Sequence, residues 1–119
     1  MMQDPATEMK TRLRADLRAA MAARRAAEVA VLRTLVAALD NAEAPAAEQK
    51  QPPGGAHDFQ SGSAEVRRLD LTPERIAEVI TAEIHEREAA AFEMQRLCQT
   101  AEAGRLNAEA DLARKYLLR

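Results

Sequence analysis

Ala27–Glu43, AEVAVLRTLVAALDNAE, decides the architecture. Val29, Leu32, Leu35, Val36 and Leu39 recur at three- and four-residue intervals, so an α-helix gathers them on one face. A strand would scatter them over both faces, because successive side chains alternate. The segment contains no Cys, His, Ser or Lys, and its acids Glu28, Asp40 and Glu43 read as solvated helix-surface positions. It predicts a packing helix and carries no hint of an activity.

Upstream, Asp4-Pro5 is a helix-start signal, an N-capping carboxylate followed by a residue whose φ is already set for the first turn. Met9, Leu13, Leu17, Ala20 and Met21 form the stripe of a first helix. The apolar phase restarts at Val29, which places a break around Arg24–Ala27 although neither Gly nor Pro is there. The second helix is expected to end near Ala44-Pro45, since the residue before a proline is disfavoured in helical geometry.

From Pro45 to Leu71 the chain reads as loop, punctuated by Pro52-Pro53-Gly54-Gly55 and Ser61-Gly62-Ser63. A connection this long exceeds the usual ceiling of ~12–15 residues and is expected to be irregular or disordered, unless Phe59 or Val66 pins part of it. Thr72-Pro73-Glu74 then opens a third helix with a capping hydroxyl, a first-turn proline and an acid at the positive dipole end. Ile76, Val79, Ile80 and Ile84 are its core stripe, continuing through Phe92 to Met94 or Leu97. Glu83 and Arg87 are spaced for an i,i+4 surface pair. A turn at Cys98-Gln99-Thr100, with Thr100 capping, leads into a fourth helix with Leu106, Ala110, Ala113 and Leu117 inward and Leu112 and Tyr116 beside them. The competing reading is one continuous helix from Thr72 to Leu118.

These segments make an all-α domain: two helical hairpins joined by a long loop and packed into a small antiparallel bundle. The 119 residues suit a single domain, in which 27 alanines leave few large side chains for the core and favour closely packed helices. Cys98 is the lone cysteine, so no internal disulfide forms. With no secretory signal at the N-terminus and no apolar run near ~18 residues, the expectation is a soluble cytoplasmic protein without a membrane partner.

Catalytic and metal constellations are not evident. His85 has Ala89 where a zinc-binding helix would need a second His, and His57 lies in the Gly/Pro-rich loop. Cys98 has no neighbouring group to stabilise a thiolate. The expectation is a non-enzymatic chain without cofactor, metal or small-molecule substrate.

Charge is more informative. The net charge is −2, yet Lys10–Arg33 holds Lys10, Arg12, Arg14, Arg18, Arg24, Arg25 and Arg33 against only Asp16 and Glu28. Lys10, Arg14 and Arg18 repeat every four residues along one edge, with Arg25 and Arg33 further on. Such a stripe can pair with phosphates without reading sequence, or can simply be the solvated flank of an apolar face. No aromatic is interleaved for base stacking.

Three segments together resemble the YqeY-like family, related to the tail domain of the GatB subunit of the glutamine-dependent Asp/Glu-tRNA amidotransferase. LRADLRAAMAARRAAEVAVLRTLVAALDNAE (Leu13–Glu43) is similar to the family's opening helix pair, including Val31-Leu32-Arg33. RRLDLTPERIAEVITAEIHEREAAAFE (Arg67–Glu93) is similar to its next helix, with Arg87 and Phe92 on family positions, and RLNAEADLARKYL (Arg105–Leu117) to its closing one. The likeness covers the N-terminal helical subdomain only, and Leu97-Cys98-Gln99 stands where the family turns through Ala-Gly-Arg. The resemblance implies a non-catalytic adaptor for tRNA or a tRNA-processing complex, with Lys10, Arg14, Arg18, Arg25, Arg33 and Arg87 as candidate contacts. A protein-interaction or self-association module, such as a homo-oligomer, is the alternative.

Overall fold

The computed structural model describes residues 4–45 and 68–117. Most of the expected loop, with His57, Phe59 and Val66, lies outside them. Four helices follow one another: α1 (Pro5–Ala22), α2 (Ala26–Glu43), α3 (Pro73–Arg96) and α4 (Thr100–Arg114). No strand occurs among the described residues. The chain is thus the all-α bundle of two hairpins that the apolar spacing implies, and α3 and α4 are separate helices.

The first helix of each hairpin starts as the local chemistry dictates. The Asp4 carboxylate accepts from the Thr7 amide at 3.1 Å, and the Thr72 hydroxyl accepts from the Arg75 amide at 3.0 Å, each followed by proline in the first turn. The Asp4 carboxyl is held below its ordinary pKa, first by the Thr7 hydroxyl and then by the Thr7 amide.

The two hairpin turns fall where the sequence places them, around Arg24 and Cys98, and are built identically to each other. At the end of α1 the Arg25 amide donates to the Ala20 carbonyl at 2.9 Å and the Arg24 amide to the Met21 carbonyl at 3.1 Å. At the end of α3 the Gln99 amide donates to the Met94 carbonyl at 2.8 Å and the Cys98 amide to the Gln95 carbonyl at 3.0 Å. Both are Schellman motifs, in which the residue just past the helix takes the left-handed conformation. That residue is usually glycine; here it is Arg24 (φ 59°) and Cys98 (φ 60°). Thr100 is the first helical residue rather than the cap: Gln99 holds the cap position and makes no side-chain capping bond.

The core is a seam between the hairpins. Leu13 from α1, Val31, Leu35 and Leu39 from α2 and Ile80 from α3 are the largest fully enclosed side chains, each worth roughly 1.5–3 kcal/mol of burial. Alanines close the rest of the seam, with Ala6 and Ala20 on α1 and Ala110 and Ala113 on α4 fully shielded, which lets the backbones approach. α2 is the central element, packing against α1, α3 and α4, whereas α1 meets the second hairpin mainly through α3. α3 is nine residues longer than α4, about 13 Å. Its N-terminal part brings Ile76 and Ile80 against the start of α1, beside Pro5 and Met9.

Three apolar residues expected in core stripes are surface residues instead: Met21 is 49%, Phe92 69% and Leu97 53% exposed. Met21 and Leu97 adjoin the hairpin turns. Tyr116, expected beside the stripe, is buried within it, its hydroxyl donating to Asp16 at 2.6 Å and its ring covered by the Arg12 guanidinium 4.6 Å from the centroid. Burial, and then the carboxylate of Asp16, push the Tyr116 hydroxyl far above its ordinary pKa, so it is a locked proton donor.

Candidate nucleic-acid interface

The basic residues of the chain divide into two populations. The first is committed to carboxylates. Lys10 donates to Asp40 at 2.9 Å and to Glu43 at 2.6 Å, tying α1 to the end of α2, with its side chain only 14% exposed. Burial works against its ammonium, but the bonds to Glu43 and Asp40 more than offset it and raise its pKa. Arg68 joins the cluster, 3.7 Å from Glu43 and 2.7 Å from the Asp40 carbonyl, while the Leu69 amide donates to the Glu43 carbonyl at 2.6 Å. The end of the expected loop is thus tied down: residues 68–71 are irregular, Arg68 and Leu69 bond to the end of α2, and Leu71 is in the core.

Arg87 is equally committed. Its i,i+4 bond to Glu83 forms at 2.9 Å, as the spacing predicts, but the pair is not on the surface. The same guanidinium, 13% exposed, also reaches Glu109 of α4 at 3.2 Å. Arg105 closes this network onto Glu109 and Glu102, and Arg114 bridges to Glu88 and Asp111. Bonding to Arg105 holds the Glu102 carboxyl below its ordinary pKa. Arg75 pairs with Glu78 and Arg96 with Glu93 along α3. Arg25, a candidate contact, is paired with Glu28.

The second population is Arg14, Arg18, Arg24 and Arg33. All four are exposed, and among the described residues none of their guanidinium groups has a hydrogen-bond or ion-pair partner. They belong to one surface. Arg14, Arg18 and Met21 follow the i, i+4, i+7 ladder on the flank of α1 opposite the Tyr116 side. Met21 and Arg24 then share a shallow depression of about 480 Å³ with Val29 and Arg33 of α2. The only acids within this stretch of chain face away: Asp16 accepts from Tyr116, and Glu28 is taken by Arg25. Between the arginines the exposed residues are largely alanine, with Ala15, Ala22, Ala26 and Ala30 among them.

Of the six residues proposed from sequence, the structure thus brings Arg14, Arg18 and Arg33 together as unpaired cations. It places Lys10, Arg25 and Arg87 in ion pairs. Arg24 was missed by the four-residue ladder because it belongs to the turn, beyond the end of the helix that carries the ladder. The signal that could have found it is its place in the run of seven basic residues from Lys10 to Arg33.

A second concavity of about 440 Å³ lies where α1 and α3 diverge, floored by Met9, Ile76 and Ile80 and walled by Tyr116 and Arg12. Two of its polar members are engaged, Arg12 by the Tyr116 ring and the Lys115 carbonyl, and Tyr116 by Asp16, while Glu8 also lines it. No group of three metal-ligating side chains occurs among the described residues, and no helix there is long and apolar enough to cross a membrane. Known protein families, curated proteins and solved structures offer no match to this chain.

Proposed function

We propose that this protein is a non-catalytic helical adaptor that holds structured RNA, tRNA in the first instance, on the outer face of its first hairpin. One observation carries the reading. A chain of net charge −2, whose arginines elsewhere among the described residues are engaged by carboxylates, carbonyls or a ring, leaves Arg14, Arg18, Arg24 and Arg33 uncompensated on one surface. Guanidinium groups in that state are ready donors to phosphate, since no internal pair must be broken first. The resemblance of Leu13–Glu43 to the opening helices of the YqeY-like family, which is related to a tRNA-contacting tail domain, supports tRNA as the RNA.

Titration of the full chain with tRNA tests this. Binding is expected at low salt, weakening steadily as salt rises, because each phosphate contact releases a counterion. The variant R14E/R18E/R24E/R33E should keep its helical circular dichroism and lose binding. Absence of tRNA binding at low salt, or an unaffected variant, refutes the reading.

A second reading, self-association or a protein partner, is favoured by Phe92, an aromatic on the outer side of α3. Light scattering of wild type and Phe92→Ser decides it: a strictly monomeric wild type removes the homo-oligomer.

A further inference from the structure

Resting on the RNA reading above, we propose that the arginine face accepts the shallow minor-groove side of an RNA double helix, gripping phosphates on either side of the groove, and neither unstacked single strands nor B-form DNA.

Shape comes first. α1 and α2 lie side by side, and a pair of helices 8–10 Å apart, each 10–12 Å across, presents a face about 20 Å wide. The grooves of B-DNA, roughly 12 Å and 6 Å wide, admit one helix at most. The minor groove of A-form RNA is wide and shallow, a surface on which a broad, low face can rest. Here the face is low because alanines separate the cations: Ala15 and Ala22 on α1 and Ala26 and Ala30 on α2 are exposed, and the depression that holds Arg24 and Arg33 is otherwise lined by Met21, Val29 and two of these alanines. Arg14 and Arg18 are four residues apart on α1, about 6 Å along its axis, Arg24 stands in the turn beyond and Arg33 on α2, so the four charges are spread across the face rather than focused on one point.

Chemistry narrows the partner further. Single-stranded RNA is held by aromatic platforms on which bases stack. None exists on this face: Tyr116 is buried against Arg12, and Phe92 belongs to α3. Base edges are read by Asn, Gln, Asp or Glu as well as Arg. The face offers none of the former, since Asp16 and Glu28 are engaged elsewhere. What remains is donation to phosphate and ribose oxygens, which is blind to sequence.

Fluorescence anisotropy with the full chain tests this against an RNA duplex of about 20 base pairs, the DNA duplex of the same sequence, and a non-pairing RNA strand of equal phosphate number. The RNA duplex should bind about ten-fold more tightly than either rival, a second RNA duplex of unrelated sequence should bind equally, and the log–log salt slope should lie near −3 to −4, about 0.9 per arginine. Equal or tighter binding of the single strand or of DNA overturns the duplex assignment while leaving the polyanion face standing. A slope near −1, or dependence on the sequence of the duplex, overturns it too. Failure of every RNA, tRNA included, to bind at low salt overturns the underlying function as well.

Discussion

The two hairpins are built alike and charged differently. Each is a pair of helices joined through the same left-handed turn, at Arg24 and at Cys98. In the second hairpin every arginine among the described residues, Arg75, Arg87, Arg96, Arg105 and Arg114, has a carboxylate partner. In the first, Arg14, Arg18, Arg24 and Arg33 have none. The second hairpin uses cations to fasten α3 to α4. The first is fastened at its open end by Lys10, Asp40 and Glu43, and leaves its remaining cations to solvent. Fold and charge are therefore separable in this molecule: the apolar seam makes the bundle, and the distribution of carboxylates decides which surface is available.

The largest expected effect leaves that contrast untouched and defines its background. Leu35→Ala and Ile80→Ala, one from each hairpin, should each cost about 2–5 kcal/mol in urea unfolding, because both side chains are fully enclosed. If only one of them is severe, the seam is not shared as described. Next is a direct break of the contrast. Glu109→Ala should destabilise by about 3 kcal/mol by leaving Arg87 half-paired in a buried setting, whereas Arg14→Ala or Arg18→Ala should lie within about 0.5 kcal/mol of wild type. Equal costs at Glu109 and Arg14 would dissolve the distinction between structural and available cations.

A smaller effect concerns the turns. Arg24→Gly and Cys98→Gly should each raise stability by about 0.5–1 kcal/mol, the relief of a side chain in the left-handed region exceeding the added freedom of the unfolded glycine. Thermal melts check this, and destabilisation by either would mean the side chain contributes at the turn.

The last prediction is in pH. Lys10 and Tyr116 both have folded-state pKa values raised above their ordinary ones. The folded state therefore retains protons that the unfolded chain releases, and the stability they supply is present below about pH 10 and lost as pH rises beyond it. Lys10→Met should flatten part of this alkaline decline; an unchanged slope would show that the Asp40–Glu43 clasp is energetically idle.

Much of this was legible in the sequence, for definite reasons. Pro5, Pro45 and Pro73 punctuate the helices through local sterics, and Leu35, Leu39, Ile80 and Ile84 declare their faces by spacing. The turns were harder, since Arg24 and Cys98 stand where a glycine would have announced the left-handed residue. Met21 and Phe92 fit their stripes in phase, yet periodicity cannot show where a neighbouring helix stops. The candidate site was half legible. Charge spacing found Arg14, Arg18 and Arg33, but Lys10 meets Asp40 and Glu43 across 30 and 33 residues, and Arg87 meets Glu109 across 22. No local pattern reveals such partners, so committed and available cations look the same until the helices are packed.

The most direct measurement compares tRNA affinity at low salt for three folded proteins: wild type, R14E/R18E/R24E/R33E, and R75E/R96E from the exposed side of the second hairpin. The account predicts that the first-hairpin variant loses binding by about 100-fold or more, while the second-hairpin variant stays within about three-fold of wild type. Equal losses in both variants would mean that total charge, rather than a defined face, governs the interaction, and would contradict it.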